Sequence, residues 1–112
     1  MIRQYEVWLA DLNPRHGTGP GNRRPVCVVQ TDLLNAQHPS TLICPLTTNV
    51  LETVEILRVH LTAGDAHVRR RCDIMIDQVR AIDNRRLVRK LGKLPEPLAR
   101  LVKENLKIVL DL

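Results

Sequence analysis

Pro95 and Pro97 split the chain into two kinds of apolar pattern, and that split constrains the fold more than any other feature. Beyond them, Leu98, Leu101, Val102, Leu106 and Val109 recur at helical spacing, with Arg100, Lys103, Glu104 and Lys107 on the other side. Proline lacks the N–H that later helical turns require, so both prolines fit only a first turn. The spacing predicts one closing helix whose apolar stripe lids a sheet. Upstream there is no such stripe. Short apolar runs alternate with turn signals, and residues 5–12, 24–31, 41–46, 56–61, 72–76, 78–82 and 87–94 read as strands. Asn13-Pro14 stops the first run, and Pro45 is expected to interrupt the third. Helical turns are expected near Leu33-Leu34-Asn35 and Asp83 to Arg86. Strands followed by a closing helix give an α+β class with a mostly antiparallel, barrel-like sheet. A length of 112 residues has room for a single domain, residues 1–112.

Several classes are excluded early. No unbroken apolar run exceeds four residues, as in Val26-Cys27-Val28-Val29, whereas a bilayer span needs about 20. Met1 to Glu6 has an early acid and no apolar segment, so we expect no signal peptide and a cytoplasmic protein. Cys27, Cys44 and Cys72 are an odd number at wide spacings, which fits neither a disulfide framework nor a zinc ribbon. Cys27 and Cys44 sit among aliphatic residues and read as core packing. His60, His67 and Cys72 make only a loose set whose spacing matches no metal motif. We expect no metal and no cofactor.

The net charge is +5, and the excess is uneven. Residues 69–107 hold twelve Lys or Arg against five acids. Such a field favours a polyanion, an acidic partner or an anionic surface over a neutral ligand. Thirteen of the seventeen cations are Arg, whose planar fork donates to phosphate in pairs. Tyr5 and Trp8 are the only aromatic residues, so a wide stacking platform for single strands cannot be built. A nucleic acid would be held by charge, by Arg and by hydrogen bonds in a pocket.

Residues 15–22, Arg-His-Gly-Thr-Gly-Pro-Gly-Asn, place three glycines and a proline within eight positions. The segment lacks the lysine and hydroxyl of a P-loop. His16 within it is a candidate general acid or base. Arg23 and Arg24 follow at the start of a strand, where alternation points them to opposite faces.

Five runs together carry a resemblance. They are E-V-W-L-A-D-L-N-P, G-T-G-P-G-N-R-R-P-V, V-V-Q-x-D-x-x-N, P-L-T-T-N and D-Q-V-R-A-I-D-x-x-R-L, in that order over almost the whole chain. The set resembles the MazF/PemK family of toxin endoribonucleases. The resemblance implies a small SH3-like barrel with helices and a homodimer. It also implies metal-independent cutting of single-stranded RNA at short sequences, and a cognate, MazE-like acidic antitoxin that occupies the RNA groove. Carried over by motif, the catalytic arginine is Arg24. The catalytic threonine falls in P-L-T-T, where counting from the arginine selects Thr47 over Thr48. Asp77 and Gln78 match the pair that contacts RNA bases. His16, Thr18 and Arg23 are expected to add RNA contacts. Two positions depart from the pattern: Tyr5 stands where the family usually has glycine, and Gly19 where its loop often has an acid.

Cleavage by the RNA's own 2′-hydroxyl requires removal of that proton, stabilisation of a dianionic phosphate and a proton for the leaving 5′-oxygen. It would leave 2′,3′-cyclic phosphate and 5′-hydroxyl ends. Arg24 suits the phosphate, because its charge is permanent and its donors paired, and it can supply the leaving-group proton. Thr47 would donate to a non-bridging oxygen. His16, Glu6 or a water held by Asp77 are the candidates for the base. Fold alone does not decide function. A CcdB-like gyrase poison without nuclease activity, and an inactive basic RNA-binding module, are the competing readings.

Overall fold

The alternating runs become seven strands: β1 (Glu6–Asp11), β2 (Arg23–Val28), β3 (Ser40–Thr47), β4 (Arg58–Leu61), β5 (Cys72–Met75), β6 (Arg80–Asp83) and β7 (Leu87–Lys93). The helix is α1 (Glu96–Leu110). The computed structural model describes residues 1–12 and 23–112. The strands form one sheet in the order β4-β5-β3-β2-β1-β7, with β6 also on β3, and every recorded pair is antiparallel. The expected α+β class with an antiparallel sheet and a closing helix is what forms.

β3 is the pivot of the sheet, and it runs through Pro45 where an interruption was expected. The reason is a change of partner. Ser40 to Ile43 pair with β6, whereas Leu46 and Thr47 pair with β5. Pro45 falls in the gap between the two, where a residue without an N–H is tolerated.

Alternation sorts the core onto two faces. Val7, Cys27, Cys44 and Leu46 face one cluster, which includes Val102 of α1. Ala10, Val26, Val28 and Ile43 face the other, closed by Ile82 with Trp8 and Leu87 at its border. Cys27 and Cys44 are cross-strand neighbours in this core, as their aliphatic surroundings suggested. Burial pushes the Cys44 thiol up to about 12, with nearby Asp77 adding to the rise.

α1 begins with Pro97 in its first turn and lays Leu98, Val102, Leu106 and Val109 on the sheet. Leu101 was expected in that stripe but is exposed, and Asn105 is buried instead. Leu101 lies about 100° around the axis from Val102, at the edge of the packed face rather than within it. Among the described residues, no helix is long and apolar enough to cross a membrane.

The two ends of the strand order are drawn together by a single turn, Asp65–His67, which follows β4 and packs on β7. His67 Nδ1 bonds the Leu91 carbonyl of β7 at 2.8 Å. Beside it Gly92 approaches so closely that a Cβ there would lie 2.6 Å from the Ala66 carbonyl oxygen.

Candidate active site

Strand register sets Arg24 and Thr47 at the same end of the neighbouring strands β2 and β3. Val26 pairs with Pro45. Two residues further along each antiparallel strand, past the last β2–β3 pair, stand Arg24, paired with Ala10 of β1, and Thr47, paired with Asp73 of β5. Arg24 is exposed, and Thr47 is half-buried at the last position of β3. Arg23 is exposed too, but points to the other face of β2, across from Asp11 of β1. The two arginines therefore divide as alternation required.

The Thr47 hydroxyl is already oriented. Its Oγ1 accepts the Asn49 N–H at 3.1 Å, the bond of a small hydroxyl-capped turn. One lone pair is thus occupied, and the O–H remains available as a donor.

Thr47 and Thr48 line a cavity of about 360 Å³ at this end of the sheet. Leu9, Pro25 and Leu91 contribute apolar walls from three strands, and Arg69, Arg70 and Arg89 surround it with charge. None of these three arginines forms an ion pair among the described residues, whereas Arg71 and Arg85 are bound to Glu52 and Asp83. Such a cavity can hold an apolar or planar group while guanidinium groups meet flanking anions. His67 lines it as well. A carbonyl only accepts, so Nδ1 carries the proton in the bond to Leu91, and in the neutral ring Nε2 is the acceptor.

Asp77 and Gln78 are exposed on the turn Ile76–Gln78 between β5 and β6. This turn packs against β3. His16, Thr18 and Gly19 lie outside the described residues. Glu6, one of the candidate bases, is not available for that work. It is 4% exposed, and it accepts from Trp8 Nε1 at 3.0 Å, the Arg3 N–H at 2.9 Å and Lys90 Nζ at 2.7 Å. Burial pulls its carboxyl up, but these donors outweigh burial and hold it below the ordinary range. A carboxylate so enclosed serves the fold.

The sequence profile described as PemK-like, MazF-like toxin of type II toxin-antitoxin system matches residues 3–110. This chain belongs to the PemK/MazF toxin family. Among curated relatives of this toxin, endoribonuclease EndoA of Bacillus subtilis is 30% identical over 112 residues, covering all of this chain and 97% of its own. Endoribonuclease MazF9 of Mycobacterium tuberculosis is 32% identical over 117 residues, covering all of this chain and 98% of its own. A solved mycobacterial endoribonuclease, in complex with its cognate antitoxin, superposes with a TM-score of 0.81 at 18% identity. That match covers all of this chain and 97% of the other, and it establishes the shared CcdB/PemK-like fold.

Sequence reasoning about this toxin missed two features of the site. His67 was weighed only as part of a metal set with His60 and Cys72, yet His67 bonds Leu91 while His60 bonds Asp73. Asp73 was counted only as one of the acids offsetting the basic excess. It is wholly buried, and a lone carboxylate in the apolar run Cys72 to Ile76 was the signal available.

Proposed function

We propose that this chain is a toxin endoribonuclease that cuts single-stranded RNA at short sequences through attack by the 2′-hydroxyl. The observation that carries the reading is the cavity beside Thr47, ringed by Arg69, Arg70 and Arg89 and walled by Pro25 of the strand that carries Arg24. The 2′-oxygen bonds to phosphorus as the bond to the 5′-oxygen breaks, and the 2′-hydroxyl proton passes to His16 or to a water held by Asp77. Arg24 clamps the scissile phosphate and protonates the departing 5′-oxygen, while Thr47 donates its hydroxyl to a non-bridging oxygen. Both groups act where negative charge grows, which is where fixed donors contribute most. Asp77 and Gln78 read bases, and Arg23, with His16 and Thr18, adds RNA contacts. The nucleophile belongs to the substrate, so the reaction draws on no metal and no cofactor, and DNA is not cut.

The single domain works in the cytoplasm as a homodimer, which lengthens the groove beyond what one small sheet offers. An acidic antitoxin neutralises it by occupying that groove. The family profile and the two endoribonuclease relatives support this reading.

The test is to incubate the purified protein with a mixed RNA pool in excess EDTA and map the cut ends. Cleavage is expected to persist and to leave 2′,3′-cyclic phosphate and 5′-hydroxyl termini. Arg24→Ala and Thr47→Ala are each expected to lower kcat by about 10²–10³ while keeping the wild-type Tm, because Arg24 is exposed and Thr47 only half-buried. A 5′-phosphate product would assign the attack to water, and near-normal cleavage by folded Arg24→Ala would remove the clamp.

A further inference from the structure

A buried charge stands directly beside Thr47. In the β3–β5–β4 register, Thr47 pairs with Asp73, and Asp73 pairs with His60. The three therefore lie in one row across the strands. The Asp73 side chain is 0% exposed. Its Oδ1 meets His60 Nδ1 at 2.6 Å, and its Oδ2 accepts from the Leu51 N–H at 2.9 Å and Arg58 Nη1 at 3.1 Å.

The partners of Asp73 reach onward. The same Arg58 Nη1 donates to the Asn49 carbonyl at 3.1 Å, and the other ring nitrogen of His60 meets the Val54 carbonyl at 2.9 Å. The Asn49 N–H is the group that binds Thr47 Oγ1. One carboxylate thus ties down the segment after Thr47 at Asn49, Leu51 and Val54. That segment has no regular hydrogen-bond ladder of its own. A buried carboxylate with charged partners is not needed for folding, since apolar packing does as well or better. What apolar packing cannot do is hold a backbone N–H at one point.

We infer that Asp73, Arg58 and His60 are positioning residues for the Thr47 hydroxyl, acting through the backbone on either side of the Asn49 Cα. The inference rests on the proposed role of Thr47 in cleavage. None of the three touches RNA. They fix the turn that fills one Thr47 lone pair and aims the remaining O–H at the phosphate. Displacement of a catalytic donor by a fraction of an ångström lowers the chemical step and leaves binding almost unchanged.

The test is a double-mutant cycle read in single-turnover cleavage with enzyme in excess, together with the Kd for a 2′-deoxy, non-cleavable RNA. His60→Ala is the first arm, since its side chain is 35% exposed and its removal leaves Asp73 paired with Arg58. Asp73→Asn is the second, and each variant is assayed only as a folded protein well below its Tm. In the wild-type background His60→Ala is expected to slow cleavage about tenfold with Kd unchanged. In a Thr47→Ala background the same substitution is expected to change the rate little, because the group it positions is gone. Equal losses in both backgrounds would assign the cluster to the fold and overturn the inference, as would a wild-type rate from either variant. Full cleavage by Thr47→Ala alone would instead sink the assignment of Thr47, a different and recognisable failure.

Discussion

Glu6 keeps a charge inside the protein because every face of its carboxylate is met. Oε1 takes the Arg3 N–H and Trp8 Nε1, and Oε2 takes Lys90, which ties β1 to β7. Glu6→Gln retains the shape and the Oε1 bonds but turns an amide toward Lys90. We expect it to lower stability by about 1–2 kcal/mol and to leave kcat unchanged. The pH dependence has a definite sign. The folded carboxyl lies below its ordinary value of 4.5, so its ionic contribution is full above that pH and is lost as pH falls through the folded value. The stability gap between wild type and Glu6→Gln, measured by urea unfolding, is therefore widest near neutrality and closes in acid. Asp73 follows the same rule: burial pulls it up, but the bonds from Leu51, His60 and Arg58 hold it below its ordinary range. A gap that grew on acidification would overturn this account of the paired carboxylate, and a loss of cleavage at neutral pH by folded Glu6→Gln would return Glu6 to the candidate site.

The turn Asp65–His67 does for this sheet what a strand pair does elsewhere. Ala66 and His67 both take positive φ, 49° and 62°, which non-glycine residues adopt only when packing holds them there. Gly92 permits that packing, since any Cβ would strike the Ala66 backbone. Gly92→Ala is expected to cost about 1–3 kcal/mol in urea unfolding, because backbone cannot yield as a flexible side chain does. It should also weaken RNA binding, since Arg69, Arg70 and His67 ride on the displaced segment. A wild-type unfolding midpoint would mean the turn is not a closing contact. This contact was unreadable in advance, whereas the strands and α1 were plain. Alternation and helical spacing are local, and they place β1 to β7 within a few residues. What failed was set at long range. Pro45 is harmless only because β3 changes partner beside it, and Leu101 leaves the core because the sheet meets α1 along the Val102 side. The candidate site divides in the same way. Arg24 and Thr47 were placed by motif, but Asp73 acquires Arg58 and His60, 15 and 13 residues away, only through the β4–β5 register.

Net charge suggested a polyanion partner, and ion pairing decides which cations are free to meet it. Of the basic excess in residues 69–107, Lys90, Arg71, Arg85 and Arg100 are held by Glu6, Glu52, Asp83 and Glu96. Arg69, Arg70 and Arg89 have no such partner among the described residues and converge on the cavity beside Thr47. A cation already neutralised by a carboxylate gains little from a phosphate, whereas an unpaired one releases condensed counterions when it binds. For single strands each such contact adds about 0.7 to the slope of log affinity against log salt. Arg69→Ala, Arg70→Ala and Arg89→Ala are each expected to weaken binding of a 2′-deoxy, non-cleavable RNA and to flatten that slope by about 0.7. Arg71→Ala and Arg85→Ala are expected to leave both almost unchanged. An acidic antitoxin segment that occupies the same groove depends on the same charges, so its displacement of the RNA should weaken in the first three variants and not in the last two. Titration of fluorescent RNA between about 50 and 300 mM salt, with and without the antitoxin, measures both. Equal effects from all five variants would mean that binding follows net charge alone and that the arginine-ringed cavity is not where RNA sits.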